Sequence, residues 1–167
     1  MAGEIDRIQP NAFQRLLHRI VSIRPLVPFF AKYMHVIDFH ALRFTGGRRT
    51  LSELAGWTII QLTTTGAKTG QQRTMPLLAG IEGGRIALIA SSFGREHNPG
   101  WYYNLKAHPE CKVFYKGKSL AYVAREVNGE EYDKYWNLVS SNYVGYEKYR
   151  RRAAHRRIPV MLLEPKK

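Results

Sequence analysis

Between residues 57 and 126 the chain alternates apolar, β-branched runs with tight glycine turns, and this stretch constrains the fold more than any other feature. Trp57-Thr58-Ile59-Ile60-Gln61-Leu62-Thr63-Thr64 reads as a strand, because β-branched side chains suit a pleated, half-buried surface. Arg73 to Ala79 reads as a second, and Arg85 to Ser91, after the turn Glu82-Gly83-Gly84, as a third. Lys112–Tyr115 and Ser119–Glu126 form a hairpin about Lys116-Gly117-Lys118, and Ile158–Leu163 supplies a last strand. Asn98 to Ala107 reads as a short helix begun near Pro99, and Gly129 to Arg157 as a longer one whose Glu130 and Glu131 favour an N-terminus. Five to seven strands with few strand–helix–strand alternations argue for an α+β, mainly β, small barrel rather than a doubly wound parallel sheet.

Before the strands, Pro10 to His40 reads as helical. Leu16, Leu17, Ile20, Val21 and Ile23 form an apolar stripe with Arg15, Arg19 and Arg24 between them, and Pro25 and Pro28 divide the segment into two short helices. Residues 1–44 are therefore expected to be an N-terminal helical extension and residues 45–167 the barrel, one domain overall. A basic amphipathic segment of this kind packs against a barrel or lies on a membrane surface. The first twenty residues show no signal-peptide pattern, and no run approaches the roughly 20 apolar residues of a spanning helix, so a cytoplasmic protein is expected.

The balance of 26 Lys and Arg against 13 Asp and Glu gives a formal charge of +13. That excess implies a polyanionic partner: nucleic acid, an anionic membrane face, or a ligand rich in phosphates or carboxylates. The lone Cys111 excludes an internal disulfide framework and reads as a small core residue. The six histidines and the scattered carboxylates form no metal-ligand spacing, so no metal is expected.

Two stretches carry chemistry. In Thr64-Thr65-Gly66-Ala67-Lys68-Thr69-Gly70-Gln71-Gln72-Arg73, two glycines frame a lysine among hydroxyls, a composition suited to an anion cradle. The spacing excludes the phosphate loop of nucleotide hydrolases, which needs four residues between its first glycine and the Gly-Lys pair. In the second, Ala90-Ser91-Ser92-Phe93-Gly94 ends a strand in small residues, and Asn98-Pro99-Gly100-Trp101-Tyr102-Tyr103-Asn104 opens a helix with Trp101 and Asn104 three apart. By themselves these stretches are equally compatible with a basic hairpin loop and a tryptophan that plugs the core.

Taken together, the two stretches resemble the deazaflavin-dependent nitroreductase family of actinobacteria, the branch of split β-barrel, FMN-binding-like proteins that uses coenzyme F420. Thr64 to Leu77 matches its Thr-Thr-Gly-x-Lys-Ser/Thr-Gly-x-x-Arg-x-x-Pro-Leu run. Ala90 to Pro109 matches its Ala-Ser-x-x-Gly and Asn-Pro-x-Trp-Tyr-x-Asn-Leu-x-Ala-x-Pro runs, and the similarity extends over roughly residues 45 to 165. The resemblance implies that Lys68 and Arg73, with Ala67 and Thr69, hold the anionic tail of the coenzyme. It implies further that Thr74, Met75, Pro76, Leu77 and Leu78 line the ring from one strand, and Ile89, Ala90, Ser91 and Ser92 from the next. Gly100, Trp101, Tyr102, Tyr103 and Asn104 would contact it from the short helix. Some relatives carry a lysine at the position of Ser92, and here Arg95 would take its place.

The same resemblance implies a hydride transfer from reduced coenzyme F420 to an apolar electrophile such as a quinone, an enone or a nitroaromatic. Tyr146 is expected to donate a hydrogen bond or proton, Ser91 to polarise the acceptor oxygen, and Tyr143 and Tyr149 to shape the pocket, with Tyr146 also against the coenzyme. A monomer is expected. The surplus charge in the first fifty residues and in Arg150, Arg151, Arg152, Arg156 and Arg157 is expected to favour peripheral association with anionic lipid. Three alternatives remain: an FMN- or haem-binding split barrel, a coenzyme-binding or storage protein without turnover, and a basic small barrel that binds nucleic acid. The last is disfavoured because the arginine clusters lie at the chain's ends, and no specific nucleic acid is expected.

Overall fold

The computed structural model describes residues 57–143 and 145–166; the expected N-terminal helices and the basic turn at residues 46–49 lie outside the described residues. The strands are β1 (Ile59–Thr65), β2 (Gln72–Leu78), β3 (Gly80–Glu82), β4 (Arg85–Ile89), β5 (Glu110–Tyr115), β6 (Lys118–Glu126) and β7 (Val160–Pro165). The helices are α1 (Gly100–Ala107), α2 (Gly129–Ser140) and α3 (Gly145–Arg152), with a 3-10 turn at Ser92–Gly94.

The strands form one sheet in the order β2-β1-β5-β6-β7-β4-β3, with every neighbouring pair antiparallel. β2 and β3 lie at opposite edges of that order, yet only Ala79 separates them in the chain. The sheet must therefore curl until its edges meet; the strand pattern predicts a small barrel, and the fold is the split β-barrel that the family resemblance implies.

Side-chain alternation sorts the two sides of the wall. In β1, Ile60, Leu62 and Thr64 face inward and are buried, with Ile59, Gln61, Thr63 and Thr65 between them on the outside. Ile86 and Leu88 of β4 and Met161 and Leu163 of β7 fill the barrel with Trp101 and Leu105 of α1. Their alternates Ala87, Ile89, Val160 and Leu162 pack outward under α2 and α3. Two covered faces explain why β4 and β7 read as unbroken apolar runs.

α2 buries Tyr132, Tyr135, Trp136 and Val139, a stripe at helical spacing, against that outer face. The expected single helix from Gly129 to Arg157 is instead two helices joined at Ser141–Tyr143, and the chain after Arg152 turns into β7. Side chains cause the break: Ser141 Oγ and Asn142 Nδ2 both donate to the Leu138 carbonyl, competing with the backbone ladder. Gly145 then admits the Tyr143 ring into the space a β-carbon would fill.

Candidate functional site

Four antiparallel steps separate β1 from β4 (through β5, β6 and β7), so both strands run toward the same end of the barrel. The glycine loop after β1 and the 3-10 turn after β4 consequently both leave the barrel at the C-terminal ends of parallel strands, which form its rim. The loop closes on itself through Gly66 N–H to the Gln71 carbonyl and Gly70 N–H to the Gly66 carbonyl, both 2.8 Å. Asn104, on α1, anchors it. Its Nδ2 donates to Thr64 Oγ1 at 3.0 Å and its Oδ1 accepts the Ala67 amide at 3.0 Å. Asn104 and Thr64 are the two buried polar residues among the described ones, and here they satisfy each other.

Lys68 and Arg73 are exposed, and neither has an ion-pair or hydrogen-bond partner among the described residues. Several other described cations are tied down: Arg125 grips Glu131 and Glu164, Arg85 also reaches Glu164, and Lys106, Lys134 and Lys166 hold Glu126, Glu82 and Glu110. Arg73 pairs with Thr64 in register and so stands on the inward face of the rim. A β-carbon on Gly66 would meet Thr69 Oγ1 at 2.7 Å and approach Arg73 Nε to 3.6 Å, which shows how tightly these groups gather there.

β2 is an edge strand. Its Met75 and Leu77 pack inward on the barrel core, while Leu78 packs on the outer, helical cluster. Thr74 turns outward and shares a 2.8 Å hydroxyl contact with Thr63, and Pro76 sits opposite Gln61, a position an edge strand tolerates. No strand covers the free edge of β2 among the described residues, which leaves backbone donors and acceptors for a flat, polar-edged ring.

The turn after β4 is held in an uncommon conformation: Ser92, Phe93 and Gly94 have φ of 48°, 58° and 77°. Two non-glycine residues in the left-handed region carry strain, a frequent mark of functional loops. Gly94 cannot be replaced without displacement, since a β-carbon would stand 2.7 Å from Arg152 Cβ and 2.8 Å from the Tyr149 carbonyl. Three hydrogen bonds from Arg156 hold the turn: to the Ser91 and Arg95 carbonyls at 3.0 Å each, and to Asn98 Oδ1.

Beside the turn lies a chain of aromatic rings. Tyr143 meets Trp57, Tyr146 and Tyr149 with centroids 5.7, 5.7 and 6.2 Å apart, and Phe93 meets Tyr149 edge-on at 5.7 Å. The cluster thus runs from the start of β1 to the turn after β4. The Tyr143 and Tyr149 hydroxyls bond to each other at 3.2 Å. Burial pushes the phenol of Tyr146, and that of Tyr149, well above the ordinary tyrosine range; the Tyr143 hydroxyl bond adds to the effect at Tyr149. The Tyr146 hydroxyl has no hydrogen-bond partner among the described residues.

The sequence-expected residues thus sort into those the structure gathers at the rim and those it uses elsewhere. Lys68, Thr69, Arg73, Ser91, Ser92 and the three tyrosines lie along the glycine loop, the turn and the aromatic chain. The Ala67 amide is consumed by Asn104, and the Ala90 amide by the Pro159 carbonyl. The side chains of Ile89, Ala90, Trp101 and Asn104 are buried in the cores and the anchor. Tyr102 donates to Glu126 at 2.9 Å, while Tyr103 is exposed and Gly100 opens α1 at the surface. The arginine cluster expected to face lipid departs further. Arg156 braces the turn, Arg150 lies over Trp136 at 5.1 Å, and Arg157 covers Tyr132 at 4.0 Å and donates to Asn128. Arg95 leans on Phe93 at 5.8 Å. Thr64, Phe93, Trp57 and Arg156 escaped the sequence reading. Thr64 alone carried a signal, its place in the inward alternation of β1.

The structure thus defines a split barrel with a cationic glycine loop, a free sheet edge and a chain of aromatic rings beside the turn after β4. A family model, F420H(2)-dependent quinone reductase, matches residues 36–165, and the chain belongs to that family. Among its relatives is an F420H(2)-dependent quinone reductase of Mycobacterium tuberculosis, 37% identical over 105 residues that cover 61% of this chain and 70% of that protein. Among solved structures, an F420-H2 dependent reductase (FDR-A) is 40% identical with a TM-score of 0.60, covering 64% of this chain and 94% of that one. A heme binding protein from Mycobacterium smegmatis shares the fold alone, at 17% identity and a TM-score of 0.52 over 68% of this chain and 48% of that one.

Proposed function

We propose that this chain transfers a hydride from reduced coenzyme F420 to a quinone or a similarly flat, apolar electrophile, and that the rim just described is where it does so. The observation that carries this reading is a pair of cations, Lys68 and Arg73, with no ion-pair or hydrogen-bond partner among the described residues, set at a tight glycine loop in a barrel that also carries a strained turn beside a chain of tyrosines.

The residues present fit the coenzyme. Its anionic tail requires cations free of carboxylates, which Lys68 and Arg73 provide through charge-assisted hydrogen bonds, with Thr69 beside them. Its flat ring requires a shallow face with hydrogen-bonding backbone, which the free edge of β2 from Thr74 to Leu78 and the small residues Ser91 and Ser92 provide. When bound, the deazaflavin supplies a hydride without radical chemistry.

The chain's own part is to hold, orient and exclude water. The aromatic chain from Trp57 through Tyr143, Tyr146 and Tyr149 to Phe93 offers an apolar wall for the acceptor. Tyr146 keeps its proton and donates a hydrogen bond from its unpartnered hydroxyl to the acceptor oxygen, and Ser91 supports the same oxygen. Ala67, Ile89, Ala90, Met75, Leu77, Trp101, Tyr102, Tyr103 and Asn104 act by shaping the rim. Peripheral contact with an anionic membrane, through the basic N-terminal segment, rests on the charge pattern, and a monomeric state rests on the resemblance to family members with a long N-terminal helical segment. No helix among the described residues is long and apolar enough to cross a membrane.

The deciding experiment is a fluorescence titration with oxidised coenzyme F420 beside FMN, followed by turnover of the reduced coenzyme with a water-soluble quinone. Micromolar binding of the deazaflavin alone, with quinone-dependent oxidation, supports the reading. Equal binding of FMN, or binding without turnover, overturns it in favour of a general flavin barrel or a storage protein.

A further inference from the structure

The least exposed of the described lysines and arginines, Arg156, braces the turn after β4. Arg156 lies on the connection between α3 and β7, a segment anchored on both sides. Its own amide donates to the Ala153 carbonyl at 2.9 Å, and the Pro159 carbonyl accepts the Ala90 amide at 2.9 Å. From this base the half-buried guanidinium spreads three of its five donors over the turn, reaching Ser91 O through one nitrogen, Asn98 Oδ1 through a second and Arg95 O through Nε. These acceptors bracket the residues whose backbone is strained, Ser92 and Phe93. The turn itself supplies two internal bonds, Gly94 N–H to the Ser91 carbonyl at 2.9 Å and Arg95 N–H to the Ser92 carbonyl at 3.1 Å. Left-handed φ at a serine and a phenylalanine persists only where the surroundings over-determine it. Packing of Gly94 on α3 and of Phe93 on Tyr149 supplies part of that constraint, and Arg156 supplies more.

We propose that Arg156 is a positioning residue for the hydride transfer, a clasp that fixes the Ser91–Asn98 turn so that Ser91 and Phe93 face the reacting pair in register. The proposal rests on the rim being the active site. Lysine cannot replace it, because a single ammonium on a flexible stem does not span three divergent acceptors. The coenzyme tail is held by a different loop, so loss of the clasp should lower turnover far more than coenzyme affinity.

The test compares the full chain with Arg156→Met, Arg156→Lys and the control Arg151→Met, an exposed arginine with no hydrogen bond or ion pair among the described residues. Amide hydrogen exchange by mass spectrometry reads the peptide spanning residues 90–99 without any coenzyme. Exchange there should speed by about tenfold or more in both Arg156 variants and stay unchanged in the control. With coenzyme F420 and a quinone, kcat should fall by about tenfold to a hundredfold while the coenzyme Kd moves by less than about threefold. Unaltered exchange in Arg156→Met, or full rescue by lysine, overturns the proposal. So does a parallel loss of kcat, coenzyme affinity and thermal stability, which would mark a merely structural role. A wild-type protein that turns over no reduced coenzyme counts against the proposed function, and the exchange comparison still decides whether the clasp exists.

Discussion

The anchor formed by Thr64 and Asn104 permits a sharp quantitative prediction. Asn104→Leu removes the donor to Thr64 Oγ1 and leaves a hydroxyl on a residue only 2% exposed without its partner. That costs about 1–3 kcal/mol. The Ala67 amide, also released, sits in an exposed loop where water can satisfy it, and adds little. Thr64→Val is the mirror case, leaving the Asn104 amide group buried without an acceptor at a similar cost of about 1–3 kcal/mol. Each single change should lower Tm by roughly 5–10 °C. The double variant leaves no orphan, so it should be more stable than the sum of the singles by about 1–2 kcal/mol. Urea unfolding followed by the fluorescence of Trp101, buried in the same core, measures all four corners of the cycle. Coenzyme affinity serves as a second reading: it should fall in Asn104→Leu and not recover in the double, because the Ala67 amide remains unheld. Additivity of the two single costs within about 0.5 kcal/mol would refute the reasoning.

Lys68→Ala and Arg73→Ala should each weaken coenzyme F420 binding by about tenfold, more at low salt, with Tm unchanged because both side chains are exposed; a fluorescence titration at two ionic strengths checks this. Gly145→Ala should displace the Tyr143 ring, which occupies the space of the new methyl, and lower Tm by several degrees together with quinone turnover; a melt and a steady-state assay read both. Burial pushes the Cys111 thiol up from its ordinary value near 9.0 to about 12. A raised folded pKa means the stability is fully present below pH 9 and is lost as pH climbs through the folded value, at up to about 1.4 kcal/mol per pH unit. Urea midpoints from pH 8 to 11 should therefore fall in the wild type and fall less steeply in Cys111→Ala.

The barrel was legible because its signals are local. The β-branched run of β1, the apolar runs of β4 and β7, and the Lys116-Gly117 turn each act within a few residues, and all four stand within about two residues of where the pattern places them. The glycine loop and the Ala90 to Asn104 stretch were equally visible, as contiguous strings. β3 was hidden in the turn before β4, since three residues give no periodicity. The break between α2 and α3 was hidden because Ser141, Asn142 and Gly145 are individually tolerated in helices, and only their side-chain bonds and the Tyr143 ring decide the matter. The arginines near the C-terminus misled for a different reason. A run of cations looks like a solvated face, yet Arg150, Arg156 and Arg157 each find an aromatic ring or an acceptor far away in sequence. Asn104 was singled out for its spacing on α1, but its partners, Thr64 and Ala67, stand 40 and 37 residues away. Such pairings are set by the closed barrel and have no imprint in the sequence around either partner.

The aromatic cleft raises a last question, which is how a proton is managed in it. In the proposed function Tyr143, Tyr146 and Tyr149 wall an apolar acceptor, and burial makes the last two weaker acids than a free phenol. A group whose pKa is driven away from neutrality is a poor proton source, because the ideal general acid titrates near the working pH. It is, however, a durable hydrogen-bond donor, aimed at charge that develops on the acceptor oxygen in a site from which water is excluded. Tyr146 should therefore act by hydrogen bonding, with the proton reaching the reduced quinone after it leaves the cleft. Tyr146→Phe should lower kcat by about tenfold while leaving the shape of the pH–rate profile between pH 6 and 10 unchanged. If Tyr146 were the general acid, the wild-type kcat would carry a solvent deuterium isotope effect that the phenylalanine variant abolishes. The two proteins, compared in water and in heavy water with coenzyme F420 saturating, separate a donor that keeps its proton from one that gives it away.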